Sequence, residues 1–303
     1  MKSKPLLIVI AGPTASGKTA AAINLANHYN TEIISADSRQ LYNEMTIGTA
    51  KPTSDELSEA PHHFINHISI HQKYDVGIYR NEVLAKLQKL FEKNAEVIMC
   101  GGTGLYIRAI CEGIDDFPEI EKSTKEFVRT NFDQNGIEWL QNQLKELDNE
   151  YFNIVDVKNP YRLIRALEVC IQTQQPYSTF KNQNKKQEQF FDSIKIGLQM
   201  PREILYDRIN KRVDLMINNG LEQEARNLYP YKHLQALQTV GYAEWFDYFD
   251  GKQTKEKAID LIKQNSRHYA KRQVTWFNKE SNLKWMDSSN LIEIEGYIES
   301  LRK

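Results

Sequence analysis

One octapeptide constrains this chain more than anything else in it. Gly12-Pro13-Thr14-Ala15-Ser16-Gly17-Lys18-Thr19 matches the pattern G-x-x-x-x-G-K-[ST] at every specified position. An apolar run over residues 6–11 precedes it and reads as a buried strand, and residues 18–30 read as a helix. Glycines let the backbone bend until successive N–H groups point inward at phosphate oxygens, and the helix behind adds the positive end of its dipole. Lys18 brings a mobile charge to the terminal phosphate, and the Thr19 hydroxyl stands where Mg²⁺ is held. The bland alternative is a Gly-rich turn with an incidental lysine, and both flanks count against it. The motif is the common nucleotide- and ATP-binding loop, so a diphosphate or triphosphate is expected here.

The rest of the chain agrees with an open sheet around that loop. Residues 32–36 and 96–100 are further short apolar runs, and residues 76–93 form a long amphipathic helix pattern between them. Strands this apolar, separated by helices, predict a parallel sheet covered on both faces. From about Pro118 to Asn184 strand signals vanish. Residues 121–132, 137–147 and 160–173 read as helices there, and residues 193–199 return to strand character. The predicted fold class is α/β, a P-loop NTPase-like core whose parallel sheet is flanked by helices, plus a helical insertion domain. The core takes residues 1–117 and 190–303, and the insertion residues 118–189. Residues 278–303 carry no motif.

Composition narrows the class without choosing a ligand. Lys+Arg 39 against Asp+Glu 40 gives the whole chain no bulk attraction for polyanions. The halves differ: 15 basic and 21 acidic side chains in residues 1–150, 24 and 19 in residues 151–303. Polyanion contacts should therefore draw more on the second half. Three cysteines (Cys100, Cys111, Cys170) without CxxC spacing argue for a reducing compartment and against a zinc ribbon. No leader precedes the first strand and no run of 18 apolar residues occurs, so a soluble, cytoplasmic protein with no membrane partner is expected. A monomer is expected too, because no heptad or self-complementary apolar stripe is visible. His62, His63, His67 and His71 lie close together but match no zinc spacing, and no metal is expected among them.

The loop alone does not settle that its phosphates belong to ATP. In phosphate-loop ATPases and kinases a second apolar strand normally ends in an Asp that helps hold Mg²⁺. Here the run 96–100 ends in Gly101-Gly102-Thr103-Gly104-Leu105-Tyr106 instead. The acid stands at the end of another strand, in Ile33-Ile34-Ser35-Ala36-Asp37-Ser38-Arg39-Gln40. In a doubly wound sheet ligands sit outside the carboxyl ends of the strands. Asp37 should then lie near the diphosphate, on the acceptor side. There it accepts a proton from a nucleophile, stands behind the metal's own ligands, or merely caps a helix. Asp37 is the general-base candidate.

Five stretches together carry a family likeness: residues 12–19, 35–42, 47–52 (Ile-Gly-Thr-Ala-Lys-Pro), 101–106 and 269–277 (Tyr-Ala-Lys-Arg-Gln-Val-Thr-Trp-Phe). In order and spacing they resemble the bacterial tRNA dimethylallyltransferases, also called tRNA isopentenyltransferases, from about Leu6 to Phe277. The resemblance implies transfer of a dimethylallyl group from dimethylallyl diphosphate to the N6 amine of an adenosine. That adenosine lies 3′-adjacent to the anticodon, in tRNAs reading codons that begin with U. In the family the loop binds the prenyl diphosphate rather than ATP, Mg²⁺ is the cofactor, and the partner is the tRNA anticodon stem-loop. On the matching positions the catalytic residues would be Asp37, Thr19, Thr103 and Lys18, with the metal at Thr19. The diphosphate would be held by Gly12, Pro13, Thr14, Ala15, Ser16, Gly17, Lys18, Thr19 and Arg212, with Arg208 the runner-up to Arg212.

The tRNA would be contacted by Asp37, Ser38, Arg39, Gln40, Thr103, Lys125, Tyr161, Arg162, Leu163, Ile164, Arg165, Gln238, Thr239, Val240, Gly241, Tyr242 and Ala243. Tyr161 stands where a Gln is commoner in the family. Blander readings stand beside these. Arg162 and Arg165 fit an ordinary solvated helix face, Arg202, Arg208, Lys211 and Arg212 fit surface ion pairs, and Trp276 with Phe277 fit the core. Two rivals to the whole reading are a small-molecule or nucleotide kinase using ATP, and an RNA-binding NTPase switch. The first lacks its strand-terminal acid and an Arg-rich lid, the second its switch motifs.

Overall fold

The computed structural model describes residues 4–181, 189–280 and 282–302. The chain opens with β1 (Leu6–Ala11), α1 (Lys18–His28), β2 (Ile33–Ser35), α2 (Ser54–Glu59), β3 (His62–His63), α3 (Val76–Phe91), β4 (Glu96–Gly101) and α4 (Gly104–Cys111). A helical stretch follows, with α5 (Lys122–Leu147), α6 (Asn149–Phe152) and α7 (Pro160–Thr173). The chain then runs through β5 (Asp192–Gln199), α8 (Arg202–Asn218), α9 (Leu221–Leu228), α10 (Ala243–Phe249), α11 (Lys255–Phe277), β6 (Leu283–Asp287) and α12 (Leu291–Leu301). Two compact units result, residues 1–111 with 189–303, and residues 112–188.

The first unit is a six-stranded sheet in the order β3-β2-β4-β1-β5-β6, and every pairing is parallel. β1 lies between β4 and β5, with Ile8 opposite Ile98 on one side and Ile194 on the other. Its side chains alternate between two cores. Leu7, Val9 and Ala11 join Val83, Leu87 and Ile107 of α3 and α4, while Ile8 and Ile10 join Ala22, Leu25, Ile294 and Ile298 of α1 and α12. Residues Leu7 to Ile10 are fully buried, and each contributes about 2 kcal/mol by leaving water. The apolar continuity read from the sequence is this burial on both faces. The connection from β1 leads to β2 on one side, and the later connection from β4 passes to β5 on the other side of β1, so the sheet changes direction at β1, and a ligand belongs at the carboxyl end of that strand.

The second unit packs α5 against α7 around Val128, Leu140, Leu144, Leu163, Ala166, Leu167 and Cys170. The two helices expected over 121–132 and 137–147 are both present within α5, separated by a kink at Gly136, whose φ of 70° and ψ of −168° are not helical. Asn159 caps α7 by accepting the Arg162 N–H, with Pro160 at the first helical position. Buried Asp148 is fully answered, by the N–H groups of Tyr151 (2.9 Å) and Ser178 (2.6 Å) and by the Ser178 hydroxyl (3.0 Å). Among the described residues no helix is long and apolar enough to cross a membrane.

Candidate active site

The loop from Gly12 to Gly17 leaves β1 with backbone that only glycine adopts without strain. Gly12 has φ 141° and Gly17 φ 89°, and a Cβ on Gly12 would stand 2.8 Å from the Leu198 carbonyl oxygen. Gly17 is the N-cap of α1 and supplies no capping side chain, so the first N–H groups of α1 remain for an anion. Lys18 Nζ donates to the Pro13 carbonyl oxygen at 2.7 Å. Burial lowers the Lys18 ammonium to about 8, opposed by the charge of Asp37. Burial also pushes the Cys100 thiol up to about 12, which leaves it neutral and a poor nucleophile. Thr14 is gripped twice. Its hydroxyl accepts from Arg212 Nη2 of α8, and its N–H donates to Gln273 Oε1 of α11 at 2.8 Å.

Across from this loop stand the ends of β2 and β4. Asp37 Oδ1 accepts the Arg39 N–H at 2.9 Å, which fixes the carboxylate in a tight turn. Thr103 N donates to the Ala36 carbonyl (3.1 Å), and its hydroxyl accepts the Ser38 N–H (3.0 Å), so the Gly-Gly-Thr-Gly turn is tied to the strand bearing Asp37. Between the two sides lies a solvent-open cavity. Thr14, Asp37, Arg39, Arg212 and Tyr269 supply its polar lining, Thr239, Val240 and Gly241 a loop wall, and Ile209, Val213, Met216 and Ile262 an apolar wall. Seven residues singled out from sequence therefore meet around one cavity. Tyr269, quoted only as part of a motif, is held near 12 by burial and then by the charge of Asp37.

Other expected contacts lie elsewhere. Leu163 is fully buried in the core of the second unit, so its side chain offers nothing to a tRNA. Tyr242 is equally buried, its hydroxyl donating to Glu224 Oε1 at 2.7 Å. Gln40 spends its amide on the Thr49 and Ala50 carbonyls (3.3 and 3.0 Å). Arg39 Nη1 donates to the Ala236 carbonyl (3.0 Å) while lining the cavity. Tyr161 and Arg162 are exposed on α7 and Lys125 on α5; Gln238 is exposed, and Ile164 and Ala243 are half-buried. The Arg165 guanidinium lies over the Phe117 ring at 5.7 Å. Arg208 is exposed and turned to Met200, so the runner-up to Arg212 has no place in the cavity. Lys211 pairs with Asp207 (2.8 Å), the bland reading of that cluster, and Phe277 is core. His63 and His67 bond Glu32 (2.5 Å) and Glu82 (2.8 Å), and His62 the Ala60 carbonyl (2.7 Å).

Glu224 is a site-shaping residue that sequence reading missed. Its carboxylate accepts from the N–H groups of Thr46 (3.0 Å), Ile47 (2.8 Å) and Gly48 (3.0 Å) as well as from Tyr242, and so pins the segment whose Gly48 and Thr49 line the cavity. Glu224→Ala leaves those donors without their acceptor. It is expected to cost about 3 kcal/mol, measured as a lower midpoint in urea unfolding, whereas Glu224→Gln, which keeps an acceptor, costs less.

The parallel strand order, with the Gly12–Thr19 loop at the strand where the sheet changes direction, defines the class: this is a P-loop NTPase-like fold. Over residues 40–280 the chain matches the IPP transferase family. It is 55% identical over 295 residues, 97% of each chain, to the tRNA dimethylallyltransferase of Christiangramia forsetii. Its identity to that of Flavobacterium johnsoniae is 53% over 299 residues, 96% of each chain. The solved full-length tRNA isopentenylpyrophosphate transferase of Bacillus halodurans is similar with a TM-score of 0.72 at 35% identity, covering 98% of this chain and 96% of that one. A eukaryotic dimethylallyltransferase acting on tRNA gives 0.79 at 25% identity, over 94% and 74%. The chain belongs to the tRNA dimethylallyltransferase family and is a transferase; the kinase reading is not favoured.

Proposed function

We propose that this enzyme transfers a dimethylallyl group from dimethylallyl diphosphate to the N6 amine of the adenosine 3′-adjacent to the anticodon, in tRNAs reading codons that begin with U, releasing diphosphate. The observation that carries the reading is the shared cavity, with Thr14 and Arg212 on the diphosphate side and Asp37 on the other. An exocyclic adenine amine is a poor nucleophile, because its lone pair is delocalised into the ring. The reaction therefore depends on a good leaving group and an allylic carbon that tolerates positive charge. Lys18, Arg212 and the first N–H groups of α1 stabilise charge developing on the departing diphosphate. As the new C–N bond forms, Asp37 takes the amine proton. Thr103, hydrogen-bonded to the Asp37 turn, holds the amine or the base beside it.

Among the described residues no group of three or more His, Cys, Asp or Glu side chains forms a metal cage. The Thr19 hydroxyl, at the start of α1, suits a hard cation that takes the rest of its ligands from diphosphate and water, which fits Mg²⁺. When bound, Mg²⁺ neutralises charge on the leaving diphosphate. The target base leaves the anticodon-loop stack at a cost of a few kcal/mol. Exposed Tyr161, Arg162 and Lys125 of residues 118–189 are the proposed contacts to the anticodon stem-loop. Cys100, Cys111 and Cys170 form no disulfide, which accords with a cytoplasmic enzyme, and we take it to act as a monomer.

The test is label transfer from radioactive dimethylallyl diphosphate, with Mg²⁺, into an unmodified anticodon stem-loop. The expected result is label when adenosine follows the anticodon, none when guanosine replaces it, and no ATP hydrolysis above background. ATP consumption without label in RNA would overturn the reading and bring the kinase forward.

A further inference from the structure

We infer that Gln273 is the positioning residue that fixes the spacing between the two loops carrying the two substrates, an inference that rests on the transfer reaction proposed above. The β1–β4 ladder ends at the pair Ala11 and Gly101, and beyond it the diphosphate loop and the Gly102-Thr103 turn part company. Gln273, buried on α11, stands between them. Its Oε1 accepts the Thr14 N–H at 2.8 Å and its Nε2 donates to the Gly102 carbonyl at 3.0 Å. One side-chain amide thus adds a rung where the backbone ladder has stopped. Only a side chain with an acceptor at one corner and a donor at the other makes both bonds.

The rung continues toward the proposed base. Gly102 precedes Thr103, whose hydroxyl accepts the Ser38 N–H beside Asp37. A single hydrogen-bonded path therefore runs from Thr14 in the diphosphate loop, through Gln273, to the turn bearing Asp37. Position 102 is fitted to this arrangement, since a Cβ there would lie 2.2 Å from Gln273 Nε2. Gln273 touches neither substrate in this account. It sets how far the allylic carbon lies from the amine, and misplacement on the order of 1 Å costs about 10²-fold in rate.

The experiment compares Gln273→Met, which keeps the volume and removes both bonds, with Gly102→Ala, which displaces the amide, and with the double variant. Each single change is expected to lower kcat about 10²-fold, with KM for dimethylallyl diphosphate and for the stem-loop, and the Kd for pyrophosphate, within about threefold of wild type. The double variant should be no slower than the worse single one, because both break the same link. Should Gln273→Met not fold, Gln273→Glu carries the same expectation, since it keeps the acceptor for Thr14 and loses the donor to Gly102. A Gln273→Met enzyme that transfers within threefold of wild type, or losses that multiply in the double variant, would overturn the inference alone. A wild-type enzyme that transfers no prenyl group would overturn the functional reading, and the inference with it.

Discussion

Asp37→Asn is expected to slow prenyl transfer about 10³-fold at saturating substrates while leaving pyrophosphate affinity undiminished. The substitution is chosen for what it keeps. Asn Oδ1 still accepts the Arg39 N–H that Asp37 Oδ1 accepts at 2.9 Å, so the turn after β2 holds its shape. What is lost is the anionic acceptor for the amine proton. The charge has a second effect of opposite sign. Asp37 raises the affinity of Lys18 and Arg212 for their protons, and it also repels an anion entering beside them. Removing it relieves that repulsion, so a calorimetric Kd for pyrophosphate should hold or tighten while turnover collapses. A general base behaves this way and a diphosphate ligand does not. If Asp37→Asn turned over at the wild-type rate, the proton would have to leave by another route, and Asp37 would be only the cap of its turn.

What the chain reveals locally and what it hides follow from the range of the interactions. The diphosphate loop is legible because every requirement on it is local: glycines at two left-handed positions, a strand before and a helix after. The inner strands are legible because burial on both faces makes their centres continuous apolar runs, Leu7 to Ile10 in β1 and Val97 to Met99 in β4. The edges are not. β6 lies in residues 278–303, where Leu283-Lys284-Trp285-Met286-Asp287 is half-exposed and carries polar residues, and β3 is two histidines long. Within α7 the resemblance marked residues 161–165 as one contact stretch, whereas the helical period turns Leu163, Ala166, Leu167 and Cys170 inward and leaves Tyr161 and Arg162 outside. Glu224 had no local signal, and Gln273 stood in the run 269–277 with nothing local to show what it bonds. Each acts on backbone groups far away in sequence, and only the fold brings acceptor and donor together.

Lys18→Met is expected to lower kcat/KM for dimethylallyl diphosphate about 10³-fold, and to abolish a pH dependence that the wild type should show. Methionine fills the space of the lysine stem, so the buried environment behind the loop is kept while the ammonium is lost. In the ligand-free protein that ammonium donates to the Pro13 carbonyl, and burial brings it down to about 8. The sign follows directly. Below about pH 8 the lysine is charged and draws the diphosphate in; above it the free enzyme loses the proton, and kcat/KM should fall toward tenfold per pH unit. A bound diphosphate favours the charged form, so kcat at saturation should hold to higher pH than kcat/KM does. Pyrophosphate binding near pH 8.5 should accordingly take up protons, visible as a binding enthalpy that changes with the ionisation enthalpy of the buffer. The Met variant, having no ammonium to titrate, should show neither the fall nor the uptake. A wild-type profile flat from pH 7 to 9.5 would mean that Arg212 and the helix N-terminus hold the diphosphate without Lys18.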